Sequence, residues 1–146
     1  MTHAFDSLKP GVQIQGTPFS PTRETIRAFC EASLDFNPLH LDDDYMKGSF
    51  GKTQFGGIIM HGMNNFGVIT KMLTDWLYEA GGVQRRLETR WKAPVKPGDT
   101  ITPSATINEV RKTDKSRWAT LDVKVLNQRG ETVAVGEAMV EFPASA

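Results

Sequence analysis

The chain has 146 residues, enough for a single domain whose core needs no disulfide or metal to hold it. Its 17 lysines and arginines balance 17 aspartates and glutamates, which excludes the basic footprint of a nucleic-acid binder or a polybasic membrane-surface segment. A lone cysteine, Cys30, rules out an intrachain disulfide, and no apolar run approaches the roughly 20 residues that span a bilayer. Met1 to Asp6 has neither the basic start nor the apolar stretch of a secretory signal, so a cytoplasmic protein is expected.

Val12 to Phe19 reads as a short strand with Val12 and Ile14 on one face. Ser20-Pro21 then offers a helix start, serine as N-cap and proline at the first helical position. Thr22 to Ser33 carries Ile26, Phe29 and Cys30 along one stripe, predicting an amphipathic helix of about three turns. In that stripe Cys30 is a structural thiol rather than a nucleophile. Leu34 to Gly57 sustains no period and is punctuated by Pro38, Gly48, Gly51, Gly56 and Gly57. A loop this long in so small a domain is usually functional.

The stretch from Ile58 to Tyr78 predicts a second, longer helix beginning near His61. Met63, Phe66, Val68, Ile69, Met72, Leu73, Trp76 and Leu77 cover most of its circumference, the pattern of a buried helix. Gly81-Gly82 ends it. Beyond that the chain reads as strand after strand. Leu87, Thr89, Trp91 and Ala93 alternate with Glu88, Arg90 and Lys92, one face buried and the other wet. Ile101, Pro103, Ala105 and Ile107 repeat the pattern, with Pro103 suggesting an edge or a bulge. Ala119 to Val125 follows the turn at Thr113 to Ser116, and Thr132 to Phe142 follows the turn at Asn127 to Glu131. One curved antiparallel sheet around one apolar helix, an α+β architecture, is the simple packing.

Chemistry concentrates in Ser33-Leu34-Asp35-Phe36-Asn37-Pro38-Leu39-His40-Leu41-Asp42. Asp35 and His40 do not share a helical face, and Pro38 drives Asn37 out of the helical region. The segment is a turn, which Asn37 holds by bonding its own backbone. Such a turn can aim a carboxylate and an imidazole at one water and move its protons. A helix cap or a surface ion pair is the plainer reading of the same residues. Further on, His61-Gly62-Met63 runs into the long helix. The first backbone N–H groups of a helix lack partners and carry partial positive charge, so Gly62 N–H can polarise a carbonyl oxygen. Tight helix–sheet packing is the other reason for a glycine there.

These two segments together resemble the MaoC-like dehydratases, most closely the (R)-specific enoyl-CoA hydratases. The hydratase signature Asp-x-Asn-Pro-x-His, with an aspartate two residues on, is matched at Asp35, Asn37, Pro38, His40 and Asp42. His61-Gly62-Met63 matches the family's His-Gly-Met, and Pro94-Val95-Lys96-Pro97-Gly98-Asp99 resembles its inter-strand turn. The resemblance covers nearly the whole chain and implies one hotdog domain over residues 1–146, a curved antiparallel sheet wrapped around a long central helix. It further implies a homodimer or larger homo-oligomer with sites near the subunit interface.

The implied reaction is reversible addition of water to a trans-2-enoyl-CoA, giving an (R)-3-hydroxyacyl-CoA. Coenzyme A, or an acyl-carrier protein, is then the substrate's carrier, and no metal, flavin or nucleotide cofactor is implied. By the same analogy Asp35 and His40 grip the water, Gly62 N–H polarises the thioester carbonyl, and Asn37 orients the loop. Thr70 falls where the closest relatives carry a serine near the site, so it joins the substrate-binding candidates.

Two departures stand out. Leu34 occupies the position where many relatives have glycine before the aspartate, and Asn64-Asn65 stand where small or aliphatic residues are usual. Two amides on a buried helix must find partners. Either they narrow and polarise the acyl pocket, favouring short or functionalised acyl groups, or they bond across a dimer interface. Asp42-Asp43-Asp44 lacks the glycine and terminal glutamate of a calcium loop. Candidate partners for phosphates are Arg85, Arg86, Arg90, Lys92, Arg111, Lys112, Lys115 and Arg117, the alternative being solvated strand faces. Two other functions remain open on the residues: a hotdog acyl-CoA thioesterase, and a silent acyl-CoA-binding subunit. The intact Asp35, Asn37-Pro38 and His40 set favours the hydratase over both.

Overall fold

Apolar–polar alternation at a period of two turns the C-terminal half of the chain into long antiparallel strands. The computed structural model describes residues 5–48 and 55–144. Strands β1 (Gln13–Gln15), β2 (Val83–Trp91), β3 (Ile101–Lys112), β4 (Arg117–Asn127) and β5 (Thr132–Phe142) form one antiparallel sheet in the order β1-β3-β4-β5-β2. Helices α1 (Arg23–Ser33), α2 (Asp43–Gly48) and α3 (Gly62–Leu77) precede the four long strands. Ile69, Met72, Leu73, Trp76 and Leu77 of α3 join Ile101, Ala105 and Ile107 of β3, Leu121 and Val123 of β4, and Val140 of β5 in one buried cluster. A curved antiparallel sheet around a long helix is the hotdog architecture.

Its composition predicts a helix buried on most sides, but α3 is covered on one face only. Its covered face is Asn65, Ile69, Met72, Leu73, Trp76 and Leu77, at the three- and four-residue spacing of one stripe. Gly67, Lys71, Thr74 and Asp75 face solvent, and Met63 is 55% exposed. One sheet can cover only one side of a helix. Strand β2 departs in the same direction: Leu87 and Thr89 are only half-buried and Trp91 is 46% exposed. It lies at the sheet's edge with β5 as its neighbour, so its apolar face is only partly covered.

Pro103 sits at neither an edge nor a bulge. Its strand lies between β1 and β4, and the register shift falls between Ile107 and Glu109. The Pro103 carbonyl accepts from Gly16 N–H at 2.9 Å, and Ile101 exchanges both backbone bonds with Phe19. The odd-numbered positions of β3 therefore turn their polar groups toward β1. There β1 has already ended, so the missing N–H removes no bond to β4.

Helix α1 starts at Thr22 and not at Ser20-Pro21. Thr22 Oγ1 accepts from Thr25 N–H while Thr22 N–H donates to Thr25 Oγ1, two orphan donors satisfied reciprocally. Ser20 instead hydrogen-bonds Thr100. Ile26 and Cys30 are fully buried, and burial raises the thiol pKa and keeps Cys30 protonated.

The expected loop from Leu34 to Gly57 contains structure. A single 3-10 turn spans Pro38–His40 and α2 follows at Asp43–Gly48, with Asp42 Oδ1 capping it at Tyr45 N–H. Asp43 is a structural clamp, pairing with Arg23 at 2.8 Å and accepting from Ile58 N–H at 3.0 Å. That backbone hydrogen bond holds its carboxyl below the usual range. Gly51 and the rest of residues 49–54 lie outside the described residues.

Leu34 ends α1 in the left-handed conformation, φ 60° and ψ 20°, with its side chain 78% exposed. Glycine adopts that conformation without strain, which is the physical reason a glycine suits this position. Leu34→Gly is expected to stabilise the protein by up to about 1 kcal/mol, because relieved left-handed strain outweighs the added freedom of the unfolded chain. The urea midpoint measures it, and a lower midpoint contradicts the strain argument.

Candidate active site

Three short segments meet in front of α3: the turn after α1, the 3-10 turn at Pro38–His40, and the extended run leading to Gly62. Asn37 builds the first two. Its N–H donates to Asp35 Oδ1 at 3.2 Å, and its own Oδ1 accepts from Leu39 N–H at 3.2 Å. With Oδ1 occupied, Asp35 presents Oδ2 to His40, whose Nε2 lies 3.8 Å away. The run before α3 is laced to the 3-10 turn, since Ile59 N–H donates to Leu39 O and His40 Nδ1–H donates to Ile59 O at 2.7 Å.

That last bond settles the state of the imidazole. A carbonyl can only accept, so Nδ1 carries the proton and Nε2 presents a lone pair. His40 is only 6% exposed, and this burial, with a smaller contribution from the neighbouring His61, holds its pKa below the ordinary histidine value. The Ile59 hydrogen bond and Asp35 offset part of that drop. A lone pair and a carboxylate oxygen then face each other across 3.8 Å, too far for a direct hydrogen bond. One water placed beside both atoms can donate an O–H to each and keep its lone pairs free.

The two side chains predicted to converge do so. Asp35 is half-exposed, and neither it nor His40 lines the main cavity. His40 reaches the cavity wall through Ile59. The cavity, about 530 Å³, is lined by Phe55, Ile59, Met60, Gly62, Asn65 and the run from Trp91 to Val95. Gly62 therefore opens α3 and borders the cavity, where its N–H has no carbonyl one turn back to bond. The packing reason for this glycine holds as well: a Cβ here would lie 2.6 Å from the Trp91 indole.

Of the substrate-binding candidates, Asn65 lines this cavity, buried to 4% exposure with its Oδ1 unpartnered. Asn64 is half-buried one position back, outside the cavity lining, and Thr70 lies about one and a half turns beyond Asn65 along α3 with an unpartnered hydroxyl. Asn37 shapes the loop and does not reach the cavity.

The predicted cationic strip is largely engaged elsewhere. Arg85 pairs with Glu141, Arg86 with Glu88, Arg111 with Glu109 and Lys112 with Asp6, whereas Lys92 lines the cavity. Arg23, Lys47 and Lys96 border a second hollow of about 440 Å³ that shares Phe55 with the first. Sequence reasoning passed over these three, because they are scattered along the chain and only folding gathers them.

His61 is the residue whose importance sequence reasoning undervalued. It caps α3, is 2% exposed, and stacks its ring on His40 with centroids 3.6 Å apart and planes 19° from parallel. Asp35, His40 and His61 offer ligand atoms within 4.8 Å of one another. Near-parallel stacked imidazoles point their lone pairs side by side, which does not suit the convergent ligands of a tetrahedral ion.

Known proteins resemble this chain in sequence and in fold. The model of the MaoC like domain matches residues 8–129. The chain is 30% identical over 142 residues to the (R)-specific enoyl-CoA hydratase of Rhodospirillum rubrum, covering 97% of this chain and 93% of that one. The (R)-specific enoyl-CoA hydratase of Aeromonas caviae is 33% identical over 118 residues, covering 81% and 84%. The solved structure of the (R)-hydratase from A. caviae superposes with a TM-score of 0.81 at 29% identity, covering 94% of this chain and 98% of that one. With most of its length matched by that model, the chain belongs to the MaoC-like domain family.

Proposed function

We propose that the protein adds water across the double bond of a trans-2-enoyl-CoA to form the (R)-3-hydroxyacyl-CoA, reversibly. The observation that carries this reading is the convergence of Asp35 Oδ2 and His40 Nε2, 3.8 Å apart, too far for a direct bond and close enough for one water beside them to contact both. The named relatives are hydratases, which supports the same chemistry. Water held by both groups attacks the β-carbon, His40 Nε2 takes its proton, and Asp35 steadies the imidazolium. The electron pair of the double bond moves toward the thioester oxygen, where Gly62 N–H and the positive end of α3 meet the developing charge. His40 then returns its proton to the α-carbon. One water has supplied a hydroxyl and a hydrogen, and the enzyme ends unchanged.

A thioesterase would send its water to the carbonyl carbon instead, and nothing in the geometry favours that second reading. Loss of enoyl absorbance without thiol release is the expected result. Asp35→Asn and His40→Ala should each lower kcat by about 10²- to 10⁴-fold while remaining folded. The acid limb of the pH–rate profile should lie below the usual histidine value of about 6.5, because burial keeps His40 unprotonated to lower pH. Wild-type rates in both variants would sink the assignment.

Asn65 makes the acyl cavity selective. Its buried carbonyl has no donor, a cost of roughly 1–3 kcal/mol that a saturated alkyl chain leaves in place. A short chain leaves room for a cavity water, and a hydroxylated chain supplies its own donor. The second hollow offers Lys47 and Lys96 to the phosphates of coenzyme A, while Arg23 there is paired with Asp43. In a panel of thioesters, crotonyl-CoA should exceed long-chain enoyl-CoAs, and Asn65→Leu should narrow that difference. Lys47→Ala with Lys96→Ala should raise KM for crotonyl-CoA and leave crotonyl-pantetheine unaffected. A long-chain preference in the wild type contradicts the role given to Asn65.

Leu34, Phe36, Leu41 and Met63, neighbours in sequence of Asp35, His40 and Gly62, are 39–78% exposed in a single chain. Such a patch marks an interaction surface. A second copy of the chain is the occupant we assign, closing the site to bulk water. Sedimentation equilibrium should return a mass of two chains or a multiple of two, and a monomer at micromolar concentration excludes it.

A further inference from the structure

His61 touches both members of the reactive pair, and the reaction as described gives it no task. Its Nε2 lies 3.2 Å from the backbone carbonyl of Asp35 and 3.5 Å from Cys30 Sγ. Since the carbonyl can only accept, Nε2 carries the proton and donates it there. One face of the ring backs the His40 imidazole, and Phe29 packs against it at 4.6 Å. Its backbone opens α3 directly before Gly62. A single side chain thus connects the end of α1, the carboxylate turn, the reactive imidazole and the helix terminus.

We propose that His61 is a positioning residue that sets the separation of Asp35 and His40, holding the backbone of one and the ring plane of the other. The proposal rests on the hydration reading above for its kinetic consequence alone. Without the Nε2–H donor, Asp35 is anchored only through Asn37 and through the Ser33 hydroxyl that accepts from Asp35 N–H. Without the stacked ring, His40 pivots about its bond to Ile59. Either movement changes a gap that must match one water, and a displacement near 1 Å costs about 10²-fold in rate.

Two substitutions separate the contributions. His61→Phe keeps a flat ring against His40 and removes the donor to Asp35. His61→Gln keeps a donor and removes the stack. The titratable groups facing His61 are Cys30 on α1, Asp35 in the following turn and His40 in the 3-10 turn; those facing His40 are Asp35 and His61. With the imidazole of residue 61 gone, one influence that lowers the His40 pKa is removed, and displacement of Asp35 removes one that raises it, so the His40 titration moves in His61→Phe.

With crotonyl-CoA, kcat should fall about 10- to 100-fold in both variants while KM changes by less than about threefold. The acid limb should move away from its wild-type position in His61→Phe. NMR titration of the His40 ring should show the same movement whether or not crotonyl-CoA is the substrate, so it tests the proposal independently of the hydration reading. Wild-type kcat together with an unchanged His40 titration in both folded variants overturns it. So does a loss of kcat that tracks only the loss of folded protein.

Discussion

The hydrogen bond from His40 Nδ1 to the Ile59 carbonyl is the contact on which the site depends. It chooses the tautomer, fixes the ring's pivot and ties the reactive turn to the strand-like run that delivers Gly62. A neutral imidazole with only Nε2 free cannot donate to the Asp35 carboxylate across the gap. The two groups are therefore both acceptors, and the species that satisfies both is a donor with two hydrogens. Water is such a donor, and a shared water has its oxygen lone pairs left for the substrate.

The surrounding fold holds this arrangement without using the reactive groups for support. Asn37 secures the turn through two local bonds, and Asp43 clamps Ile58 and Arg23 beside it. The inter-strand turn at Lys96–Asp99 is fastened by Asp99, which accepts from Lys96 N–H and from Gln128, while the Val95 carbonyl accepts from Met60 N–H. The run before α3 is thus gripped from both sides. Backbone and second-rank side chains carry the mechanical load, so Asp35 Oδ2 and His40 Nε2 remain unpaired and available. The stacked His61 ring belongs to this supporting group, although it lies closest to the chemistry.

Much of the site could be read from adjacent residues. The Asp35-x-Asn37-Pro38-x-His40 turn is local: proline excludes helix from Asn37, and asparagine bonds the backbone two residues on, so its shape follows from neighbours in sequence. The start of α3 at His61-Gly62 and the alternation of β3, β4 and β5 were legible for the same reason. Local signals misled where a stronger partner lay nearby. Ser20-Pro21 resembles a helix start, but Thr22 and Thr25 satisfy each other and take the cap. The stretch of glycines and aspartates after Leu34 reads as loop, yet Asp42 caps a short helix within it.

Sequence by itself determined the fold class, the long helix with its glycine-led start, and the turn that carries Asp35 and His40, because these rest on periodicity and on bonds spanning a few residues; the roles of the carboxylate and imidazole came from the family resemblance. Tertiary structure decided what surrounds them. It stacked His61 on His40, laid Trp91 over Gly62, brought Ile59 to His40, and gathered Arg23, Lys47 and Lys96 around one hollow. It also left one side of α3 uncovered and the apolar face of β2 only partly covered, where the sequence pattern alone reads as buried. Such contacts join positions far apart in the chain, and no local pattern encodes the distance between them.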